Sequence, residues 1–323
     1  FEEYKTVNFS DIENHYRRAD EHMSLFTSNP QWVIPSKGKN GSEISAYQLR
    51  HLARQHKAVD VLYVYYLENE SNQYLDYLVE QVNSLGANYI SGNYDKQGNG
   101  VFESFRAGYR IYNWLFIYNS LLASEKFTWR NQIDYIKTFY YHAKELEKES
   151  EKFRFGNHQT KGLVSLALIS MLFPEFDCSK DNLQKSFNIL TEHLAKEINP
   201  DGFQFERTVH YHIGDINNYF YVYQIAKQNS IDVPDEFSKR FHMMFDALIK
   251  LAMPNKKLPV LQDDTDSPWA EFNEMGSVMS IGAILFDEPE YKYFASNQIS
   301  PSFYWLFRED DFSRFSSMEK KSP

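Results

Sequence analysis

Apolar residues return at three- and four-residue intervals through almost the whole chain, and that periodicity leaves room for little except α-helices. Leu49, Leu52, Ala53, Val59, Leu62, Tyr63 and Tyr66 keep it as one helix-like stretch, and Tyr74, Leu75, Leu78, Val79 and Val82 repeat it. Further helices are predicted over roughly 103–123, 129–150, 158–173, 181–198, 212–229, 234–252 and 273–286. Breakers separate them: the stretch from Gly92 to Gly100, then Pro174, Asn199-Pro200-Asp201-Gly202, Pro234 and Pro254. The best strand signal is one short run, Lys257 to Gln262. Long helices with short connections predict stacked antiparallel pairs.

Composition narrows the class. Thirteen glycines and eleven prolines in 323 residues fall well below the roughly 12% of average usage, which disfavours turn-dense all-β folds. A hydrophobic share of 42% with 17% aromatics excludes disordered, collagen-like and low-complexity chains. Cys178 is the single cysteine, so neither an intrachain disulfide framework nor a thiolate zinc cluster can form. The net charge of −10 argues against nucleic acid as partner. It leaves room for a local basic cleft that faces a polyanion. The longest nearly apolar stretch, Gly162 to Phe173, is too short for the roughly 20 residues of a bilayer crossing, so no membrane span is expected.

Three divisions are expected. Residues 1–44, with Pro30, Trp32 and Pro35, form an irregular approach segment; residues 45–315 form one helical domain; residues 316–323 begin a polar linker. The chain opens on Phe1 rather than Met, which fits removal of an export signal, so a periplasmic or secreted location is expected.

Two segments concentrate polar groups beside helix starts. In Phe155-Gly156-Asn157-His158-Gln159-Thr160, Asn157 is either an N-cap for the following helix or a functional amide. Asp201-Gly202-Phe203-Gln204-Phe205-Glu206-Arg207 is followed by Thr208-Val209-His210-Tyr211-His212. His210 and His212 share a face only if this segment is extended, and a metal site there lacks an evident third ligand. Tyr211, flanked by histidines and near Arg207, reads better as a proton-transfer group. The aromatics Tyr109, Tyr112 and Trp114 are either core or a sugar-stacking surface. The acidic run Asp263-Asp264-Thr265-Asp266 is either a calcium loop or a solvated turn, the turn being favoured.

Taken in order, Gly-Asn-His at 156–158, Phe-Pro-Glu-Phe at 173–176, the 201–207 segment and His-Tyr-His at 210–212 resemble the helical domain of the heparinase II/III polysaccharide lyases, the heparinase III-like branch most of all. Arg50 with His56-Lys57 is similar to an Arg-rich, His-containing helix of those enzymes, and Ser104-Phe105-Arg106 to their Trp-Arg segment. The resemblance spans roughly 45–265. It departs where Lys161 and Gly162 replace an acidic position, Phe105 a Trp and Gln55 an Arg. It implies an all-α, incomplete (α/α) toroid of antiparallel helix pairs. A downstream β-sandwich domain, supplying a further catalytic histidine, is expected as a partner of the helical part. No cofactor is implied here; a structural divalent metal in that downstream domain is compatible with the family.

The implied reaction is β-elimination on a uronic-acid-containing acidic polysaccharide, with heparan-type glycosaminoglycan expected first. Alginate lyase, a toroid glycoside hydrolase and a non-catalytic glycan-binding or biosynthesis protein are the competing readings. Asn157 suits neutralisation of the uronate carboxylate, His158 reinforces it, and Tyr211 suits protonation of the leaving oxygen and abstraction of the α-proton. Arg50, Arg54, His56, Arg106 and Arg207 are candidate binders of acidic sugars. Gln204 and Glu206 are candidates for orienting Tyr211 or binding sugar hydroxyls.

Overall fold

The computed structural model describes residues 1–7, 9–97, 100–262, 274–297 and 299–323. The described residues form helices and irregular connections, with isolated β-bridges at Trp32–Tyr94, Lys37–Glu43 and Ile198–Gln204. Lys257 to Gln262, the expected strand, is irregular, with no neighbouring strand to complete a ladder among the described residues. The acidic run at 263–266 lies outside the described residues.

In chain order the helices are α1 (Glu2–Val7), α2 (Ile12–Leu25), α3 (Ala46–Arg54), α4 (Ala58–Leu67), α5 (Asn72–Ser91), α6 (Ser104–Leu121), α7 (Trp129–Glu149) and α8 (Asn157–Leu172). They continue as α9 (Ser179–Glu197), α10 (Val209–Gln228), α11 (Asp235–Leu251), α12 (Met275–Phe286), α13 (Pro289–Phe294), α14 (Pro301–Tyr304) and α15 (Glu309–Ser317). The long predicted helices are present with ends shifted by a few residues. One expectation needs correction. Residues 1–44 are not wholly irregular, because α1, a short 3-10 turn at Phe9–Asp11 and α2 occupy much of them. The chain divides into two compact units, 1–153 with 161–183, and 154–160 with 184–323. The expected linker starts inside α15, and residues 318–323 continue without regular structure.

In the first unit, α4 packs on α2, α5 and α6, α7 packs on α5 and α6, and α3 packs on α6. The expected continuous helix through 49–66 is broken into α3 and α4. Nothing between them is a strong breaker; the cause is tertiary. Gln55 turns left-handed at a φ of 57°, and its amide donates to the Leu52 carbonyl and to Gln81 Oε1, both at 3.0 Å. Arg110 Nη1 takes the Ala53 carbonyl at 2.5 Å and Asn113 takes that of Arg54 at 3.0 Å. The last carbonyls of α3 are therefore satisfied from outside the helix. Trp114, a candidate sugar platform in the sequence, is instead core: it is 1% exposed and donates its indole N–H to Gln55 Oε1 at 3.3 Å.

Arg110 itself is fully buried. Its Nη2 donates to the Val101 carbonyl at 3.0 Å and its Nε to His142 Nε2 at 2.9 Å, while Phe102 and Trp114 lie within 6 Å of the guanidinium. Burial pulls its pKa down to about 9, which still leaves it charged at neutral pH. Because His142 Nε2 accepts, Nδ1 carries the proton and donates to the Thr138 carbonyl at 2.7 Å. The second unit packs α10 on α11 and α12, and α12 on α13 and α15. Its core is a run of fully buried rings, Tyr219, Phe220, Phe237, Phe241 and Phe245, each stabilising by about 1.5–3 kcal/mol.

The buried histidines of the first unit set its pH response. Burial, then the Arg110 charge, hold His142 well below its ordinary pKa, and burial brings His22 down to about 3. Both are neutral when folded, whereas the unfolded chain takes up these protons near pH 6.5. Stability is therefore full above about pH 6.5 and falls as pH drops below it, by up to about 1.4 kcal/mol per pH unit per histidine. Thermal melting at pH 7.5, 6.5 and 5.5 should show a plateau and then a decline; a rise on acidification would contradict this account.

Candidate functional site

Two turns and one carboxylate organise the unit formed by 154–160 and 184–323. The first turn, Arg154-Phe155-Gly156, enters α8. Gly156 has a φ of 101°, a region that favours glycine, and its N–H donates to Glu197 Oε1 at 2.7 Å. The second turn doubles back from the end of α9. Asn199 N–H meets the Phe203 carbonyl and Gly202 N–H the Asn199 carbonyl, both at 2.9 Å, and Phe205 N–H donates to the Glu197 carbonyl at 2.8 Å. Gly202 has a φ of 91°, and an added Cβ would overlap the Met243 carbonyl oxygen of α11. Glu197 thus holds one turn with its side chain and the other with its backbone, and Phe155 meets Phe205 edge to face at 6.2 Å.

One helical turn before Glu197, His193 places Nδ1 2.9 Å from Glu197 Oε1 and Nε2 3.0 Å from Gln159 Oε1. The orientation of that amide is fixed, because Gln159 Oε1 also accepts the Arg154 N–H at 2.6 Å. Gln159, Thr160, His193 and Glu197 are all buried, none more than 3% exposed. Sequence reasoning missed His193 and Glu197. Their i,i+4 spacing beside a breaker was the available signal, and it reads like an ordinary surface pair.

Asn157 is the first residue of α8, coming after Gly156 rather than preceding the helix as an N-cap does. It is half-buried and His158 is exposed. Tyr211, also half-buried, lies in the first turn of α10, where Thr208 Oγ1 accepts its backbone N–H at 3.1 Å. Asn157, His158 and Tyr211 therefore all sit at helix starts, where unpaired N–H groups and the helix dipole favour negative charge. Gln204 and Glu206 bond to each other: the Gln204 amide donates to Glu206 Oε1 at 3.1 Å and Glu206 N–H to Gln204 Oε1 at 2.8 Å. Arg207, in a left-handed conformation at a φ of 61°, is exposed.

The His-x-His segment is helical, so its two rings point about 200° apart rather than to one face. His212 donates from Nε2 to the Met244 carbonyl at 2.9 Å and accepts the Gln204 N–H on Nδ1 at 3.2 Å. Both nitrogens are committed to joining the second turn to α11. Burial lowers its pKa to about 4, keeping the ring neutral. His212 is a structural brace and not a metal ligand.

The other candidates belong to the first unit. The guanidinium of Arg54 lies over Phe105 at 5.1 Å, Phe105 meets Tyr109 edge to face at 4.8 Å, and Lys161 Nζ lies 4.4 Å over the Tyr109 ring. His56 packs edge to face on Tyr109 at 4.6 Å, and burial followed by the charges of Arg54 and Lys161 lowers its pKa to about 3. Arg106 donates to the Gly100 carbonyl at 3.2 Å and pairs with Glu103 at 3.6 Å. Burial depresses it, Glu103 opposes the shift, and the nearby Arg50 and Arg54 add to it. Arg50, Arg54, Arg106 and Lys161 thus form a basic cluster built on aromatic rings. Tyr109 stays half-buried within it.

The profile of the family described as Heparinase II/III N-terminus matches residues 46–290. A heparin-sulfate lyase of Pedobacter heparinus is 25% identical over 176 residues, covering 53% of this chain and 24% of that protein. A heparin-sulfate lyase of Bacteroides thetaiotaomicron is 26% identical over 102 residues, covering 31% and 14%. Among solved structures, a mutant of the heparan sulfate lyase HepC of Pedobacter heparinus superposes with a TM-score of 0.70 at 19% identity, covering 96% of this chain and 46% of that one. A crystal structure of heparinase III gives 0.66 at 17%, covering 87% and 46%. The fold is therefore the expected all-α (α/α) toroid class, and the chain spans less than half the length of these relatives. Among the described residues, no helix is long and apolar enough to cross a membrane.

Replacing His212 with Ala should cost about 1–3 kcal/mol of stability, because the Gln204 N–H and the Met244 carbonyl both lose a buried partner. Calorimetry of this variant checks the loss. A chelator should leave the melting of the parent protein unchanged, and a chelator-induced drop would reinstate the metal reading.

Proposed function

Since the chain belongs to the heparinase II/III family and carries its N-terminal domain, we propose that it is the helical part of a polysaccharide lyase cleaving a uronic-acid-containing glycosaminoglycan by β-elimination. Heparan sulfate is the first substrate to test. The observation that carries the reading is the common anchorage of the Asn157 turn and the 201–207 turn on Glu197, which leads Asn157, His158 and Tyr211 from one rigid support.

Elimination has three requirements. The uronate carboxylate must be held so that the adjacent C–H becomes acidic, a base must remove that proton, and an acid must protonate the oxygen that departs as the C=C bond forms. The Asn157 amide, at the start of α8, donates to the carboxylate without competing for the proton, and His158 adds a second polar contact. Tyr211 transfers protons: as phenolate it accepts the α-proton, and as phenol it protonates the leaving oxygen. Proton transfer and charge stabilisation complete the sequence, so we assign no cofactor to it. Arg50, His56 and Arg106 in the basic cluster, with Gln204, Glu206 and Arg207 on the second turn, recognise acidic groups and hydroxyls of the polymer. A polymer of this size stays outside the cytoplasmic membrane, which supports a periplasmic or secreted location. A downstream β-sandwich domain completes the cleft with a further histidine.

The experiment is ultraviolet absorbance of the new C=C bond, read with the complete natural protein on heparan sulfate, other glycosaminoglycans and alginate. Tyr211→Phe should cut turnover about a hundredfold or more, as for loss of one acid-base group. Asn157→Ala should raise the barrier by about 2–4 kcal/mol, the scale of one lost oxyanion donor. If Asn157 served only the helix start, the loss would appear as about 1 kcal/mol of stability with turnover intact.

Residues 1–323 alone should fold and yet cleave far more slowly than the complete protein, because an open cleft leaves the uronate solvated. Adding the downstream domain as a separate chain should restore activity. Full turnover by residues 1–323 would show the second wall to be dispensable.

A further inference from the structure

The Glu197 carboxylate has two occupations at once. Its Oε1 accepts the Gly156 N–H at 2.7 Å and faces His193 Nδ1 at 2.9 Å. His193 Nε2 faces Gln159 Oε1, an oxygen that also receives the Arg154 N–H. Both ring nitrogens thus face acceptor oxygens inside the protein. From α10, Tyr219 lies near both Glu197 and Asp215, and the Thr160 hydroxyl is close to Tyr219. The residue is 1% exposed, so its interactions are made inside the protein and not with a ligand.

We propose that Glu197 is a positioning residue: through its contact with the Gly156 N–H it fixes the backbone from which Asn157 and His158 project, in register with the turn that leads to Tyr211. This rests on the lyase reading of the site. What matters for the chemistry is the reach of the side chain to Gly156 rather than its charge. Glutamine has that reach with no charge, and aspartate has the charge but is one methylene short. Displacement of a reacting group by about 1 Å costs on the order of a hundredfold in rate, so loss of reach should appear in kcat. Loss of charge should appear in stability instead, because the buried His193 ring then meets a neutral amide, a weaker hydrogen-bond partner than a carboxylate.

The test compares Glu197→Gln, Glu197→Asp and Tyr211→Phe in the complete natural protein, with kcat, KM and melting measured on heparan sulfate, and with hydrogen exchange of the Gly156 amide. Glu197→Gln should melt earlier, keep kcat within about threefold of the parent and keep Gly156 protected. Glu197→Asp should lose tenfold to a hundredfold in kcat with little change in KM, and its Gly156 amide should exchange faster. Turnover that tracks melting temperature across the set, or a Glu197→Asp variant with parental kcat beside an inactive Tyr211→Phe, overturns the positioning role and leaves the lyase reading standing. Parental turnover in Tyr211→Phe as well overturns the reading beneath it, and the proposal with it.

Discussion

The first unit is organised around a buried cation, Arg110, that has no carboxylate partner among the described residues. Arg110 spends its donors on two backbone carbonyls and a neutral histidine, drawn from α3, the segment before α6 and α7. A buried charge is tolerable when acceptors meet its nitrogens and aromatic faces surround the rest. Meeting that condition fixes where α3 stops, which way His142 points and how Trp114 stacks. A lysine would bring the charge without the planar fork, leaving carbonyls unpaired. The geometry of three segments is thus a consequence of satisfying one guanidinium.

The second unit meets a comparable need at a buried carboxyl side chain. Glu197 takes the Gly156 N–H of the first loop and faces an imidazole with its side chain, and takes the Phe205 N–H of the second loop with its main-chain carbonyl. Each loop carries exposed polar residues at its tip, so hydrogen bonds join the packing of Phe155 on Phe205 and of Phe203 on His212 in holding its shape. Backbone hydrogen bonds to a desolvated carboxylate supply direction as well as attraction. That is the kind of support a proton-transfer site needs, because such chemistry tolerates little positional error.

The helices were legible because their apolar spacing is strong and their proline and glycine breakers stand outside them. The break between α3 and α4 was not, because Gln55 turns left-handed for bonds to Gln81 and Trp114, residues far along the chain. Asn157, His158 and Tyr211 stood out through their neighbours in the motif, and all three lie at helix starts. His193, Glu197 and Gln159 were not, since burial is a property of the packed molecule and an i,i+4 His-Glu pair looks the same on a surface. The His-x-His motif admits a metal reading only on an extended backbone, and Thr208 starts a helix there instead.

Gly202 lies inside the motif that makes this chain recognisable, yet its backbone is seated against the Met243 carbonyl, where no side chain fits. The Asp-Gly-Phe stretch is therefore retained by any sequence that keeps this packing, whether or not chemistry accompanies it. Surveys of genomes that sort such proteins by that stretch group them by architecture. A binder that has lost its reactive groups and an active lyase would fall in the same group. Separating them would turn on the residues just beyond each turn, at positions 157 and 211, the positions proposed above to carry the chemistry.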